Sequence, residues 1–246
     1  MAVICITQAR LGSSRLPSKV MMKIQGKPLL QYHLERAALA HSIDQHIVAT
    51  TDKVIDLAIA EFCAEHGYNC FRGDEQDVLK RFYDAATVAG AQPDDIIVRL
   101  TGDCPLIAPE LIDKAIESHQ ARSGTDYSHI SKDYYPRGFD AEVFSMQTLT
   151  EAYLEATREA EREHVTPFIY NHPQRYQLNS VTGSTTAASR LRLCVDEPPD
   201  FELISRVIAF FGNDIIHTSG EKICSYVLEH TELIEINQSV VQITSH

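Results

Sequence analysis

The sequence predicts an α/β protein with a mostly parallel sheet and helices on both faces. Three observations predict it. Short β-branched or apolar runs alternate with stretches of helical spacing through the first half of the chain, the pattern of successive strand–helix units. Residues 96–100 (IIVRL) are apolar at every position except Arg99, as a strand covered on both faces requires. Polar, loop-like stretches follow Thr7 and Leu100, and ligands of such sheets bind beyond the carboxyl ends of the strands.

Taken in order, residues 3–7 read as a β-branched strand and 8–19 as a loop. A helix over 28–40 opens with Pro28 in its first turn, where a missing N–H costs nothing. A strand over 46–50 precedes a helix over 54–66, in which Ile55, Ile59, Phe62 and Cys63 share a face and which Gly67 ends. Residues 69–71 make a short strand, Asp77 caps a helix over 77–89, and 109–122 is helical. The second half is less regular. Strands over 126–130 and 141–144 flank the turn-rich DYYPRG, and a helix begins at Thr148 with Glu151 placed for a capping box. Residues 161–171 read as a helix, 176–181 and 191–195 as strands joined by GSTTAAS, and 199–211 and 220–230 as helices. No repeat or linker divides the 246 residues, which read as one domain; 136–189 is a candidate arm within it for acceptor binding or dimerisation.

Composition narrows the function. Apolar residues make up 44% and charged residues 23%, which suits a globular enzyme with a sizeable core. The formal net charge of −12 argues against a general nucleic-acid binder, whose surface is basic, but leaves room for a nucleotide bound by a local cationic cluster. None of the six cysteines forms a C-x-x-C pair; they read as small buried hydrophobes in a reducing compartment. The first residues lack the pattern of a signal peptide and no stretch approaches a membrane span, so a cytoplasmic location without a membrane partner is expected. The eleven histidines show no zinc spacing.

The densest cationic stretch follows the first strand. Arg10, Arg15 and Lys19 fall within ten residues, with Gly12, Ser13 and Ser14 between them, so small residues let backbone N–H groups approach a phosphate while the cations offset its charge. This is neither a Walker loop nor a dinucleotide glycine fingerprint, and a solvated basic turn accounts for the spacing as well. Arg99, inside an apolar strand, needs a partner: a nearby aspartate or a ligand.

The run R-x-x-S-x-R-L-P-x-K over residues 10–19, followed by Gly26-Lys27-Pro28, resembles the N-terminal signature of sugar nucleotidyltransferases. It is most similar to the cytidylyltransferases that make CMP-activated acidic sugars, and among them to the spore-coat polysaccharide biosynthesis type. Six further segments carry the resemblance in order: ATTD (49–52), FRGDEQDVLKRFYDAA (71–86), VRLTGDCPLI (98–107), YPRGFDAEVF (135–144), EREHVTPFIY (161–170) and VDEPPDFELI (195–204). They span most of the chain to about residue 210; the remainder adds nothing to the match.

The resemblance implies a Rossmann-like nucleotidyltransferase sheet, CTP and an acidic sugar as substrates, Mg²⁺ as cofactor and a homodimer. It implies that Arg10, Ser13, Arg15 and Lys19 hold the triphosphate, with Gln8, Ala9 and Gly12 of the same loop in the nucleotide site. Thr101 and Gly102 would shape the base pocket, Arg72 and Arg99 would contact the nucleotide, and Asp77 the base or sugar. Asp103 and Asp196 would hold Mg²⁺, and with Arg15 and Lys19 they form the expected catalytic set. Tyr135, Arg137, Asp140 and Glu142 would bind the acceptor, Arg137 by a two-pronged carboxylate contact and Asp140 or Glu142 by accepting hydroxyl protons; Glu163 and His164 would lie beside them. The segment Leu193-Cys-Val-Asp-Glu-Pro-Pro-Asp200 departs from the usual pattern, which has Trp-Thr before the Val-Asp and Thr-Pro-Glu-Asp after it, and this bears on local packing and acceptor preference. Two alternatives stay open. A metal-dependent glycosyltransferase of related architecture would need a D-x-D motif where LTGDCP offers one Asp, and a noncatalytic sugar-binding protein would not need the basic loop and both aspartates.

Overall fold

The first half of the chain alternates strand and helix as its periodicity requires. In a computed structural model, which describes residues 1–241, it runs β1 (Val3–Gln8), a small hairpin of β2 (Lys23–Ile24) and β3 (Lys27–Pro28), α1 (Leu29–Ala37), β4 (Gln45–Thr51), α2 (Leu57–His66), β5 (Asn69–Gly73), α3 (Val78–Val88), β6 (Ile96–Thr101) and α4 (Pro109–Gln120). The second half adds β7 (Tyr127–Ile130), β8 (Glu142–Ser145), α5 (Met146–Glu155), α6 (Glu159–His164), α7 (Pro167–Tyr170), β9 (Leu178–Val181), α8 (Pro198–Phe211), α9 (Gly220–Glu229) and α10 (Thr231–Asn237).

Seven strands form one sheet in the order β5-β4-β1-β6-β8-β7-β9. The pairs among β5, β4, β1 and β6 are parallel, β8 lies antiparallel between β6 and β7, and β9 runs parallel to β7. Alternate residues of the central strands pack into opposite layers, as the two-residue strand period demands. Val3, Cys5, Val98 and Val143 meet Ile112, Ile116, Leu203 and Val207. Ile4, Ile6, Ile97 and Phe144 meet Leu79, Phe82, Leu149 and Ile169. The segment 136–189 contributes β8 and β9 to this sheet and α5 to α7 to one of its faces. Its Phe139, Phe144 and Phe168 are buried within the chain, so they supply no interface. The six cysteines are free, and no helix among the described residues is long and apolar enough to cross a membrane.

Four local expectations change. Residues 191–195 form no strand: a single bridge joins Arg192 to Arg137. Leu193 N donates to Arg137 O at 2.7 Å and Val195 N to Asp103 O at 2.9 Å, so the segment is stitched to two loops while its apolar residues are buried as a strand's would be. The helix expected over 161–171 breaks after His164, where Val165 takes φ 71° and Pro167 has no N–H to return to a preceding turn. Ser145, not Thr148, caps α5, accepting from Thr148 N at 3.0 Å; Glu151 instead meets Gln147, Arg175 and Tyr176. Residues Val54–Asp56 form a 3-10 turn that leaves Ile55 exposed, because Asp56 is drawn inward to bond Leu11 N and the Thr51 hydroxyl.

Candidate active site

Strand register brings several loops to one edge of the sheet. Gln8 at the end of β1 faces Thr101 at the end of β6, and Glu142 at the start of antiparallel β8 faces both Arg99 and His129. The loops after β1, β6 and β7 and before β8 therefore line a common cleft of about 920 Å³.

The basic loop is pinned rather than free. Leu11 is buried and its N–H donates to the Asp56 carboxylate at 2.6 Å, Ser13 N and Ser18 N return to Leu11 O at 2.8 and 2.9 Å, and Leu16 packs against the core. Ser18 takes φ 58°, a left-handed conformation that costs a non-glycine residue energy and sends the chain inward at Lys19. Lys19 is 8% exposed. Its ammonium donates to Asp103 Oδ2 at 2.6 Å and Asp196 Oδ1 at 2.7 Å. Arg15 reaches Asp196 at 3.1 Å and Glu197 at 3.4 Å, while Arg10 lines the cleft with no carboxylate partner among the described residues.

Burial opposes the charges on Asp103 and Asp196, but the Lys19 ammonium holds both carboxyls below the usual range, with Arg15 and Arg192 helping at Asp196. Burial likewise opposes the Lys19 charge, and the two aspartates reverse it. Two ionised carboxylates from separate loops converge on one cation, donor chemistry suited to a divalent magnesium that keeps phosphate and water ligands. No cluster of three metal-binding side chains occurs among the described residues, so an ion held by this pair would complete its shell with phosphate and water oxygens.

A buried hydrogen-bond chain sits behind Asp103. His33 Nδ1 lies 2.9 Å from Cys104 O, which can only accept, so this nitrogen carries the proton. The Thr7 hydroxyl then donates to His33 Nε2 at 2.9 Å and accepts from His46 Nε2 at 2.8 Å. Burial pushes His33 down to about 4, keeping it neutral.

On the far wall, Arg99 pairs with Glu142, donates to Gln8 Oε1 at 3.2 Å and lies 5.9 Å from the Phe82 ring centroid. Its partner is thus a glutamate from the acceptor-side cluster. Glu142 also accepts from Tyr127 at 2.5 Å and Thr166 at 2.8 Å, so its oxygens are already engaged; the left-handed turn at Val165 presents that threonine. Asp140 accepts from Gly138 N at 2.9 Å and lies 3.5 Å from Lys132. Arg137 lines the same cleft with no carboxylate partner among the described residues, and Glu163 and His164 line it from the end of α6.

Four expected site residues sit elsewhere. The Arg72 guanidinium donates to the carbonyls of Thr51, Asp52 and Lys53 at the sheet margin, away from the cleft lining. Tyr135 Oη meets Lys114 and Thr182 O, outside the cleft. Gly102 does not line it: its N–H donates to Gln8 O at 2.9 Å, and a Cβ would meet Leu30, Ala9 and that carbonyl within 3.2 Å. Asp77 caps α3 and pairs with Arg162. Gln8, Ala9, Gly12, Ser13 and Thr101 all line the cleft. Two arginines were not singled out from the sequence. Arg81, buried, lines the cleft and donates to Asp74 O. Arg192 pairs with Asp196 and bonds Asp200 at 2.9 Å. A charge inside an apolar run flagged Arg99, and the same signal marks Arg192 in LRLCV.

The sequence profile of the cytidylyltransferase family matches residues 4–233. The spore coat polysaccharide biosynthesis protein SpsF of Bacillus subtilis is 35% identical over 208 residues, covering 82% of this chain and 84% of SpsF. The 3-deoxy-manno-octulosonate cytidylyltransferase of Pelobacter propionicus is 42% identical over 118 residues, 47% of this chain and 44% of that enzyme. Among solved structures, a cytidylyltransferase from Leptospira borgpetersenii superposes with a TM-score of 0.89 at 28% identity, each chain covered in full (100%).

Proposed function

The chain belongs to the cytidylyltransferase family and is a nucleotidyltransferase, and from that premise we propose that it moves CMP from CTP onto a carboxylated sugar of surface-polysaccharide biosynthesis, releasing pyrophosphate. The observation that carries the reading is Lys19 bridging Asp103 and Asp196 beneath a fixed loop bearing Arg10 and Arg15, with Arg137, which has no carboxylate partner among the described residues, across the same cleft.

The acceptor hydroxyl oxygen forms a bond to the α-phosphorus while the bond from that phosphorus to the bridging oxygen breaks, and pyrophosphate leaves. The backbone N–H of Gly12 and the cations of Arg10, Arg15 and Lys19 take the charge that builds on the leaving group. Asp103 and Asp196 would hold Mg²⁺, which supplies positive charge at the phosphates when bound. Triphosphate draws Lys19 toward itself and frees the two carboxylates. Arg137 clamps the acceptor carboxylate at the far end, and Asp140 accepts the hydroxyl proton in preference to Glu142, whose oxygens are engaged by Arg99, Tyr127 and Thr166.

Pyrophosphate release over CTP, UTP, ATP and GTP, each with 3-deoxy-manno-octulosonate, its 8-amino-8-deoxy analogue, N-acetylneuraminate and neutral sugars, tests the reading. Release only with CTP and a carboxylated sugar is expected; equal release with a neutral sugar overturns the acidic acceptor. Arg137→Ala should raise the sugar KM about tenfold to a hundredfold, the loss of a charge-assisted contact of about 1.5–3 kcal/mol, and leave that for CTP within a few fold. A homodimer, the commonest symmetric assembly, belongs to the same proposal. Light scattering at micromolar concentration should give twice the chain mass of 27.6 kDa; a monomer mass removes the dimer.

A further inference from the structure

Helix α10 is remote in sequence from the cleft, yet one of its side chains reaches the frame around Asp196. Asn237 is 4% exposed. Its Nδ2 donates to Arg192 O at 3.0 Å and to Asp200 Oδ1 at 2.8 Å. Asp200 is fully buried; its Oδ2 accepts from the N–H of Asp196 at 2.9 Å and of Glu197 at 3.0 Å, while Oδ1 also receives Arg192 Nε at 2.9 Å. Arg192 in turn pairs with the Asp196 carboxylate. Asp196 is thus held from two sides, its backbone by Asp200 and its side chain by Arg192, and the Asn237 carboxamide is bonded to both of those holders.

A buried carboxylate keeps a single orientation only while donors offset its desolvation. Without Asn237, Asp200 Oδ1 retains only Arg192 among the described residues, the carbonyl of residue 192 loses that bond, and Asp200 turns more freely. The N–H groups of Asp196 and Glu197 turn with it.

We infer that Asn237 is a positioning residue for Asp196, which makes the C-terminal helix part of the transfer machinery. Its kinetic consequence rests on the transferase reading above; its structural consequence does not. The test compares Asn237→Ala and the isosteric Asn237→Asp, which removes the donor and keeps the shape, with Leu233→Ala. Leu233 is buried at 4% exposure in the same helix and has no polar group to join the network, so it controls for loosened packing of α10.

Hydrogen exchange is followed at the Asp196 and Glu197 amides, well below each variant's melting midpoint. Both Asn237 variants should speed exchange at these amides at least about tenfold, and Leu233→Ala should not. With CTP and 3-deoxy-manno-octulosonate, kcat should fall about tenfold or more in the Asn237 variants, with KM for CTP changed less than about threefold. Unchanged amides in both Asn237 variants, or the same loss in Leu233→Ala, overturns the inference. If Asn237→Ala does not fold, Asn237→Asp decides it. If the wild-type protein turns over none of the carboxylated sugars, the substrate proposal fails and the exchange measurement alone decides the role of Asn237.

Discussion

Lys19 shows what single residues contribute here: its ammonium neutralises two partly buried carboxylates that would otherwise repel each other and take up protons. Asp103→Asn and Asp196→Asn each keep side-chain shape and remove one of those charges. Each should lower turnover by at least about 10²-fold, because phosphate charge is no longer balanced in the transition state. Far-ultraviolet circular dichroism should be unchanged, and full activity in either variant would remove that carboxylate from the site. The basic loop and both aspartates were legible because each lies in an ordered motif at the end of a predicted strand. Arg72 and Tyr135 were not separable from true cleft residues, since a guanidinium or phenol can be satisfied by nearby carbonyls that no motif announces. Arg192 carries the same signal as Arg99, a charge inside an apolar run, but its partners Asp196, in a bend, and Asp200, in the first turn of α8, are set by tertiary contacts that no motif announces.

Among elements, the segment 191–195 carries the clearest lesson. Its apolar residues are buried as in a strand, and the periodicity was legible, but its hydrogen-bond partners are the turn at Arg137 and the loop at Asp103. Periodicity reports burial and is silent about partners. The parallel half was readable because strand and helix alternate there with both periods intact, whereas the break at Val165 rests on a strained φ that side-chain pattern does not encode. Gly138 is where the turn and the segment touch. It has φ 103°, and a Cβ there would fall 2.5 Å from Leu193 C and 2.7 Å from Cys194 N. Backbone cannot yield as a flexible side chain does, so Gly138→Ala should cost about 2–4 kcal/mol of stability, summing strain and overpacking. It should also push the Asp196 segment away from Asp103 and weaken CTP binding by calorimetry; a melting temperature within a degree of wild type would contradict the close approach.

For the whole molecule, stability should depend on pH through the buried histidines as well as the carboxylates. His33 ionises near 4 when folded and near 6.5 when unfolded, so between these values the unfolded chain binds the extra proton. Stability is therefore lost as pH falls from about 6.5 toward 4, by on the order of 3 kcal/mol for His33. The depressed Asp103 and Asp196 add a second loss that begins as pH falls into the ordinary carboxylate range, where the unfolded chain's carboxyls take up protons, and continues below it. Urea denaturation of His33→Asn should show a shallower slope over the first interval and the same slope over the second; identical slopes throughout would discount the histidine. The net charge of −12 left room for a local cationic cluster and could not reveal where its partners lie along the chain. Those partners are far apart: Lys19 and Asp196 are separated by 177 positions, and a contact of that span forms only after the intervening chain has been gathered. The cleft is thus a late product of folding. In stopped-flow refolding, helical ellipticity should return before the capacity to bind CTP, and the lag between the two measures how long the finished sheet waits for its C-terminal third.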